Sequence, residues 1–292
     1  MIALTVIILT QDEARHITRA IASVRDVASR IIVVDSGSRD DTVALAQAAG
    51  ATVLYNAWSN HAAQFNWALD QIAGTPGWVL RLDADEVVTP FLATEIKRGL
   101  PDVAGLYVQR RINFLGQPVR RGGMFPTRVL RLFRNGMGRC EDRLMDEHIV
   151  VSGPTGQLHG AIVDDNQKPL DWWIAKHNAY ASREVVDILR RELKPSEAAH
   201  KGAKRWIKDH IYARLPCGVR AGVYFFYRYV VRLGFCDGPQ ARSFHVLQGF
   251  WYRYLVDAKL TEVRRRSKTH GVTLQVAIKD VLGIDADMAR SS

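Results

Sequence analysis

The sequence predicts an α/β fold with a mainly parallel sheet, and two observations lead to this prediction. Short apolar runs rich in β-branched residues alternate with segments of helical spacing through the first ninety residues. Strands that are apolar along their whole length are typical of a parallel sheet covered by helices on both faces. Ligands of such sheets bind at the carboxyl ends of the strands, so a site is expected there.

Four strands and three helices are predicted, in alternation, before residue 90. The strands are expected at Ile2–Thr10, Arg30–Asp35, Thr52–Tyr55 and Trp78–Leu82. Between them, apolar residues three or four positions apart predict helices that begin near Ile17, Val43 and Ala62.

The remainder of the chain divides into a further sheet segment and a helical region. Strands are predicted at Gly105–Val108 and Arg128–Phe133, around a glycine-rich loop, and the chain turns helical, aromatic and basic from about Leu170. We therefore predict two domains, a sheet domain over residues 1–167 and a helical extension over residues 168–292.

The positive charge lies almost wholly in the second part of the chain. The formal net charge is +10, yet residues 1–167 carry 17 lysines and arginines against 18 acidic residues, while residues 168–270 carry 21 against 9. Such a basic region favours an anionic partner, such as a phospholipid surface or a pyrophosphate-linked lipid. Nucleic acid is not expected, because no helix-turn-helix, zinc-finger or RNA-recognition signature accompanies the charge.

Cysteine usage and the N-terminus favour an intracellular protein. The three cysteines are far apart and form no CxxC pair, which is typical of reduced thiols. The apolar N-terminus has neither a basic start nor a small-residue cleavage site, so it predicts a strand rather than a signal peptide. No stretch reaches the roughly 18 apolar residues that a spanning helix needs.

Two aspartates, Asp83 and Asp85, follow the fourth predicted strand. Their spacing places both side chains on one side of an extended strand, where two like charges repel unless a cation lies between them. Carboxylates suit Mg²⁺ or Mn²⁺, which usually complete their coordination with substrate phosphates. The alternative is a solvated turn in which Asp85 caps a helix.

A second polar motif begins at Asp35, the last residue of the second predicted strand. Its carboxylate can accept a hydrogen bond from an N–H donor such as a uracil ring. Ser36 and Gly37 then form a tight turn into a helix. An ordinary strand–turn–helix connection would use the same residue types, so the motif alone leaves both interpretations open.

Four segments, in this order and spacing, resemble bacterial family-2 glycosyltransferases, especially the lipopolysaccharide-core and exopolysaccharide glucosyltransferases. They are residues 5–13, 33–42, 66–69 and 82–86, with the sequences TVIILTQDE, VVDSGSRDDT, NWAL and LDADE. The resemblance is strongest over the first 90 residues. It implies a GT-A fold, a nucleotide-sugar donor with UDP as the expected nucleotide, and an inverting single displacement.

The resemblance also implies roles for individual residues. Contacts to the nucleotide sugar are expected from Thr10, Glu13, Asp35, Ser36, Gly37 and Asp83. Asp85, with Asp83 beside it, would bind the Mg²⁺ or Mn²⁺ ion that bridges the diphosphate and neutralises it as it departs.

An inverting transfer needs one base to take the proton of the acceptor hydroxyl. The family usually places this base in a short acidic motif, and residues 141–148 form the only acidic cluster in the expected interval. Asp146 and Glu147 are favoured as catalytic residues because the apolar residues 149–151 can fix them, and Asp142 is the alternative. A solvated loop with exposed charges would explain the same cluster.

The expected function is metal-dependent hexosyl transfer in bacterial lipopolysaccharide or exopolysaccharide biosynthesis. The acceptor would be a lipid-linked or lipopolysaccharide-type saccharide, and the enzyme would attach peripherally to the cytoplasmic face of the inner membrane. Aromatic residues mixed with arginines in the helical region suit a helix in a bilayer interface, although they could also pack as an ordinary helical subdomain.

Two other functions are compatible with the fold class. A sugar-phosphate nucleotidyltransferase would need a loop rich in glycine and basic residues directly after the first strand, where residues 10–13 are TQDE instead. A non-catalytic saccharide- or lipid-binding module would not need the Asp83 and Asp85 pair.

Overall fold

A computed structural model of the protein describes residues 3–141, 148–193 and 218–285. The chain forms two compact units. The first consists of residues 1–120 and 124–167, and the second of residues 121–123 and 168–292.

The described part of the first unit alternates strands and helices before it becomes purely β. Its elements are β1 Leu4–Thr10, α1 Ile17–Val24, β2 Arg30–Asp35, α2 Thr42–Ala48, β3 Thr52–Tyr55, α3 His61–Asp70, β4 Trp78–Asp83, β5 Glu86–Val88, α4 Pro90–Arg98, β6 Gly105–Phe114, β7 Gln117–Val119, β8 Thr127–Arg134, β9 Gly138–Cys140, β10 Ile149–Val151 and β11 Thr155–Asp165. The four strands predicted before residue 90 are thus confirmed within two residues at each end.

Within the described residues, the main sheet has nine strands in the order β3-β2-β1-β4-β8-β6-β11-β5, with β7 paired to β6. Strands β1 to β4 are parallel, and β8 lies antiparallel between β4 and β6. The predicted α/β class with a mainly parallel, GT-A-like sheet is therefore confirmed. Strands β9 and β10 form a separate antiparallel hairpin.

Two apolar clusters cover the two faces of this sheet. Along β1, Leu4 and Val6 belong to one cluster and Ile7 to the other, which is the alternation of an extended strand. Ile21 of α1 completes the first cluster and Phe65 of α3 the second. Each fully buried side chain of this size contributes about 1.5–3 kcal/mol to folding, so the sheet is a stable support for the residues at its edge.

Strand β11 was not predicted, and its composition explains why. Only Gly160, Ala161 and Ile162 are buried in its eleven residues, so the run lacks a continuous apolar stretch. Its last two residues, Asp164 and Asp165, are typical of a loop. They remain in the strand because Asp164 pairs with Glu86 of β5 in register.

The described part of the second unit is helical, as predicted. Its helices are α5 Leu170–Leu193, α6 Val219–Phe226, α7 Pro239–Val246, α8 Tyr252–His270 and α9 Leu274–Leu282. A π-helical turn, Tyr227–Val231, continues α6, and a second one, Leu247–Trp251, joins α7 to α8. None of the helices described in the structure is both long enough and apolar enough to cross a bilayer.

Helices α5, α8 and α9 share one apolar core. Val185 and Leu189 of α5 contact this cluster together with Leu260 of α8 and Ile278 of α9. Helix α9 lies in a stretch with only weak sequence signals. It is capped by Thr273, whose hydroxyl accepts the backbone N–H of Val276, and its packing on α8 supplies the stabilisation that its short length cannot.

Candidate functional site

Polar side chains end four neighbouring parallel strands at one edge of the sheet. Thr10, Asp35 and Tyr55 lie in register at the ends of β1, β2 and β3, and Asp83 ends β4 opposite Leu9. Since neighbouring strands are about 4.8 Å apart, this row is roughly 15 Å long. An extended ligand could therefore contact several strand ends at once.

Asp35 is buried, and its carboxylate is held by its own turn. Its Oδ2 atom accepts the backbone N–H groups of Gly37 at 2.8 Å and Ser38 at 2.9 Å, and Oδ1 accepts the hydroxyl of Thr10 at 3.3 Å. Gly37 has φ +95°, a conformation that side chains with a Cβ rarely adopt. The structure thus brings Thr10, at the end of β1, together with Asp35 and Gly37 of the turn after β2.

Ser36 is held in place by Gln64, a residue that was not predicted to be part of the site. The side-chain amide of Gln64, on α3, donates to the Ser36 hydroxyl at 2.6 Å and to the backbone carbonyl of Asn56 at 2.8 Å. Gln64 is 1% exposed, and a buried amide needs partners for its donors and acceptor. A glutamine on the apolar face of a predicted helix is the signal that could have revealed this contact.

Glu13 lies just beyond the row, in the segment between β1 and α1. Its carboxylate oxygen is 2.6 Å from Nδ1 of the buried His16, and its backbone N–H donates to the Thr42 hydroxyl at 2.8 Å. Nε2 of His16 in turn accepts the backbone N–H of Gln167 at 2.9 Å. The structure therefore places Glu13 near the end of β1 but directs its carboxylate to His16.

The chain turns directly after Asp83, which corrects the expectation that Asp83 and Asp85 share one side of a strand. Strand β4 ends at Asp83, Ala84 and Asp85 form a turn, and β5 begins at Glu86. Asp85 does not cap a helix either, because Thr89 caps α4. The two carboxylates consequently have different surroundings.

Asp83 faces two arginines. Its Oδ2 atom accepts from Nη2 of Arg131 at 2.9 Å, and its Oδ1 atom is 3.6 Å from Nε of Arg81. Burial alone would raise the pKa of the Asp83 carboxyl, but the charges of Arg131 and Arg81 outweigh it and hold that pKa well below its usual range. Asp83 is therefore an ionised carboxylate whose charge is neutralised from inside the protein.

Arg131 also binds Glu86, which is 1% exposed. Nη2 of Arg131 donates to Glu86 Oε1 at 2.7 Å, and Oε2 of Glu86 accepts the backbone N–H of Asp83 at 3.0 Å. Arg110 lies on the other side of Glu86 and pairs with Asp164 at 2.5 Å. Burial raises the pKa of the Glu86 carboxyl to about 7 despite the charge of Arg131, so Glu86 takes up a proton more readily than an exposed glutamate.

Asp85 is partly exposed and accepts a hydrogen bond from an uncharged amide, the side chain of Asn166, at 2.8 Å. Burial raises the pKa of the Asp164 carboxyl, the charge of Arg110 opposes this, and the negative charge of Asp85 raises that pKa further. Among residues 3–141, 148–193 and 218–285, no three His, Cys, Asp or Glu side chains cluster as a complete set of metal ligands. Mg²⁺ does not require such a set, because one carboxylate with substrate phosphates and water can hold it. Asp85 fits that mode of binding, whereas Asp83 is engaged by arginines.

The three predicted catalytic residues, Asp142, Asp146 and Glu147, lie outside the described residues. The two residues that flank them are paired, because the backbone N–H of Glu141 donates to the carbonyl of His148 at 2.9 Å. This contact closes the β9–β10 hairpin.

Cys140, at the end of β9, anchors that hairpin to the sheet. The side chain of Asn66 on α3 makes two hydrogen bonds of 2.9 Å with the backbone of Cys140. Nη1 of Arg81 lies 3.5 Å from the Cys140 sulfur. Because Arg81 is also beside Asp83, the hairpin that carries the acidic cluster begins close to the polar edge of the sheet.

A family model described as "Glycosyl transferase family 2" matches residues 5–139. An uncharacterized glycosyltransferase of Rickettsia bellii (strain RML369-C) is 38% identical over 203 residues, which are 65% of this chain and 68% of that protein. The lipopolysaccharide core biosynthesis glycosyltransferase LpsC of Rhizobium meliloti (strain 1021) is 30% identical over 189 residues, 61% of this chain and 69% of LpsC.

The chain spans between 30% and 69% of the length of the curated relatives that it matches. A solved structure of glucosyl-3-phosphoglycerate synthase from Mycobacterium tuberculosis, with Mn²⁺, UDP and glucosyl-3-phosphoglycerate, is 22% identical over 38% of this chain and 44% of that one. Its TM-score of 0.30 is too low to bear on function.

Proposed function

Because this chain belongs to glycosyl transferase family 2, we propose that it transfers a hexose from a nucleotide sugar, with UDP as the nucleotide, to a saccharide acceptor. The observation that carries the proposal is the row of Thr10, Asp35 and Asp83 at the carboxyl ends of adjacent parallel strands, with Asp85 directly beyond it. Family membership favours this activity over nucleotidyl transfer and over a non-catalytic binding module.

In this proposal the rigid turn after β2 receives the nucleoside. The carboxylate of Asp35 is held in one orientation by Thr10 and Gly37, so it can accept an N–H of the base without first being ordered. Tyr55 is 68% exposed at the end of β3, and its ring lies 3.7 Å from where a Cβ on Gly37 would be. This is an ordinary van der Waals distance, so a larger residue at position 37 would be opposed by the backbone, whose φ of +95° strains any residue with a Cβ.

The diphosphate would lie toward Asp85. A Mg²⁺ or Mn²⁺ ion held there would act as a Lewis acid on the departing nucleoside diphosphate. Arg131 and Arg81 neutralise the charge of Asp83, so the edge of the sheet repels the diphosphate less than two unpaired aspartates would. The arrangement leaves Asp85 as the carboxylate of this pair that is available for the ion.

The acceptor we propose is a lipid-linked or lipopolysaccharide-type saccharide. One relative, LpsC, is described as a lipopolysaccharide core biosynthesis glycosyltransferase, and this chain is 30% identical to it over 69% of its length. The excess of basic residues in positions 168–270 is consistent with the phosphate groups of such an acceptor.

The base we propose is Asp146 or Glu147, with Asp142 as the alternative. All three belong to the hairpin connection whose ends are anchored through Cys140, next to Arg81 and thus to Asp83. The end of β9, from which this connection starts, is thus close to the strand end beside which we propose the diphosphate to lie.

Replacing the base should slow turnover by about 100-fold or more, the usual contribution of general base catalysis. We expect this loss in either Asp146→Asn or Glu147→Gln, because the amide cannot take the acceptor proton. The rate of UDP release from UDP-glucose, with water as the acceptor, and the affinity for UDP should be measured in each variant, and the affinity should remain as in the wild type. A loss in Asp142→Asn alone would move the base to Asp142, and wild-type rates in all three variants would refute a base in this segment.

A further inference from the structure

Six large apolar residues form a continuous stripe on the surface of the second unit. This apolar stripe consists of Val219, Val223, Phe226, Tyr227, Val230 and Val231, which are each between 41% and 59% exposed. They lie on α6 and the π-helical turn that continues it, and their spacing of three and four residues places them on one face. Leu233 and Phe235, at 44% and 45% exposed, extend the stripe beyond the helix.

The helix that carries the stripe has its polar residues turned inward. Arg228 is 4% exposed, and its Nε atom donates to the backbone carbonyl of Gly122 at 2.9 Å. Arg220 binds Asp257 of α8. An amphipathic helix on the surface of a water-soluble protein usually buries its valines and exposes its arginines. This helix instead exposes its valines and buries Arg228. Exposed apolar surface of this extent on a folded protein marks an interaction site.

A second row of apolar side chains lies beside the stripe. Val246, Phe250 and Tyr254 follow one another at intervals of four along the helix that runs from α7 into α8, and they are 37–46% exposed. The ring of Phe250 lies 5.9 Å from that of Phe225, which belongs to α6. Two neighbouring helices therefore contribute to one apolar surface.

Within residues 219–254, the exposed charged side chains are arginines. Residues 219–254 contain five arginines and one acidic residue, Asp237. The carboxylate of Asp237 is buried and engaged, because it accepts from His245 Nε2 at 2.9 Å and from the backbone N–H of Arg121 at 3.1 Å. The side chains of Arg121 and Arg232 remain exposed.

This combination determines the kind of partner. Valine, phenylalanine and tyrosine side chains with arginines at their rim are what a helix needs to lie in the headgroup region of a bilayer. Anionic headgroups would attract the arginines, and each basic residue near such a surface strengthens binding. A second copy of this chain is a poorer partner, because it would bring two positive rims together.

We propose that the apolar stripe inserts into the interface of an anionic phospholipid membrane, with Arg121 and Arg232 at the headgroups. This goes beyond the proposed function, because it does not depend on which sugar or nucleotide the first unit uses. The attachment is peripheral and reversible, and it would hold the second unit where lipid-linked saccharides are found.

Co-sedimentation of the full chain with vesicles tests this proposal. We expect binding to phosphatidylcholine vesicles that contain phosphatidylglycerol, weaker binding to phosphatidylcholine alone, and a decrease at high salt through screening. The double variant Phe226→Gln and Val231→Gln should bind at least about tenfold more weakly, since burying even one phenylalanine side chain is worth about that factor. Both residues are more than half exposed, so the fold should tolerate the change.

The matched control is Phe91→Gln. Phe91 is 56% exposed, close to the 59% of Phe226, but it lies on α4 of the first unit. This variant should bind vesicles as the wild type does.

Equal binding of the double variant and the control, or no binding of the wild type to anionic vesicles, would overturn the proposal. A dimer that forms in the wild type but not in the double variant would also overturn the proposal, because the apolar stripe would then be an interface between two copies of the protein. UDP-glucose hydrolysis in solution should be unchanged in the double variant, so a failure here is separate from a failure of the proposed function.

Discussion

Asp85→Asn should lower the rate of sugar transfer by about 1,000-fold or more. A metal ion bound to the leaving diphosphate contributes several kcal/mol, and each 1.36 kcal/mol is a factor of ten in rate. The protein should remain folded, since an asparagine carbonyl can still accept the hydrogen bond from Asn166 that Asp85 accepts at 2.8 Å. Release of UDP from UDP-glucose at saturating Mn²⁺ measures the effect.

Asp102→Asn is the control for this variant. Asp102 is exposed and forms only a surface ion pair with Arg134, so its replacement should leave the rate near that of the wild type. A folded Asp85→Asn protein with more than about a tenth of the wild-type rate would contradict the assignment of Asp85 to the metal.

Arg131→Met should destabilise the first unit by about 3–5 kcal/mol, the usual cost of removing one partner of a buried ion pair. The Arg131 side chain is 9% exposed and donates to both Asp83 and Glu86, so its loss leaves two neighbouring carboxylates without their main counter-charge. Urea denaturation at neutral pH, with the midpoint and slope compared to the wild type, measures the change.

Arg128→Met is the matched control, because Arg128 lies on the same strand and is exposed. Its effect should be within about 0.5 kcal/mol of the wild type. A second test adds Glu86→Gln to Arg131→Met, which should recover part of the lost stability by removing one of the two carboxyl groups that lost their partner. Equal stability of Arg131→Met and Arg128→Met would show that the buried network does not stabilise this edge.

The strand ends of the site were predictable because they depend on local patterns. The apolar residues of β2 end abruptly at Asp35, and the parallel sheet brings that end next to Thr10. The same logic brought Asp83 to the same edge. A local pattern could not show the path of the chain after β4. The chain turns at Ala84, so Asp85 has different neighbours from Asp83.

The arginine partners of Asp83 were missed because they depend on topology. Arg131 reaches Asp83 only because β8, which is distant in sequence, lies antiparallel beside β4. A signal was nevertheless present, since Arg81 and Arg131 each interrupt an apolar strand, and an arginine in such a position is seldom buried without an acidic partner. The contact between Glu13 and His16 is local, three residues apart, and could have been inferred directly from the sequence.

The most direct test of a nucleotide-sugar site at this edge is a thermal unfolding series of the full chain with UDP, with and without Mn²⁺, for the wild type and Asp85→Asn. A ligand that binds only the folded state stabilises it by about 2.7 kcal/mol at 100 times its dissociation constant. We expect UDP to raise the unfolding temperature of the wild type in the presence of Mn²⁺, and to do so much less without the metal or in Asp85→Asn. An unfolding temperature that UDP and Mn²⁺ leave unchanged, or that rises equally in both proteins, would contradict the account.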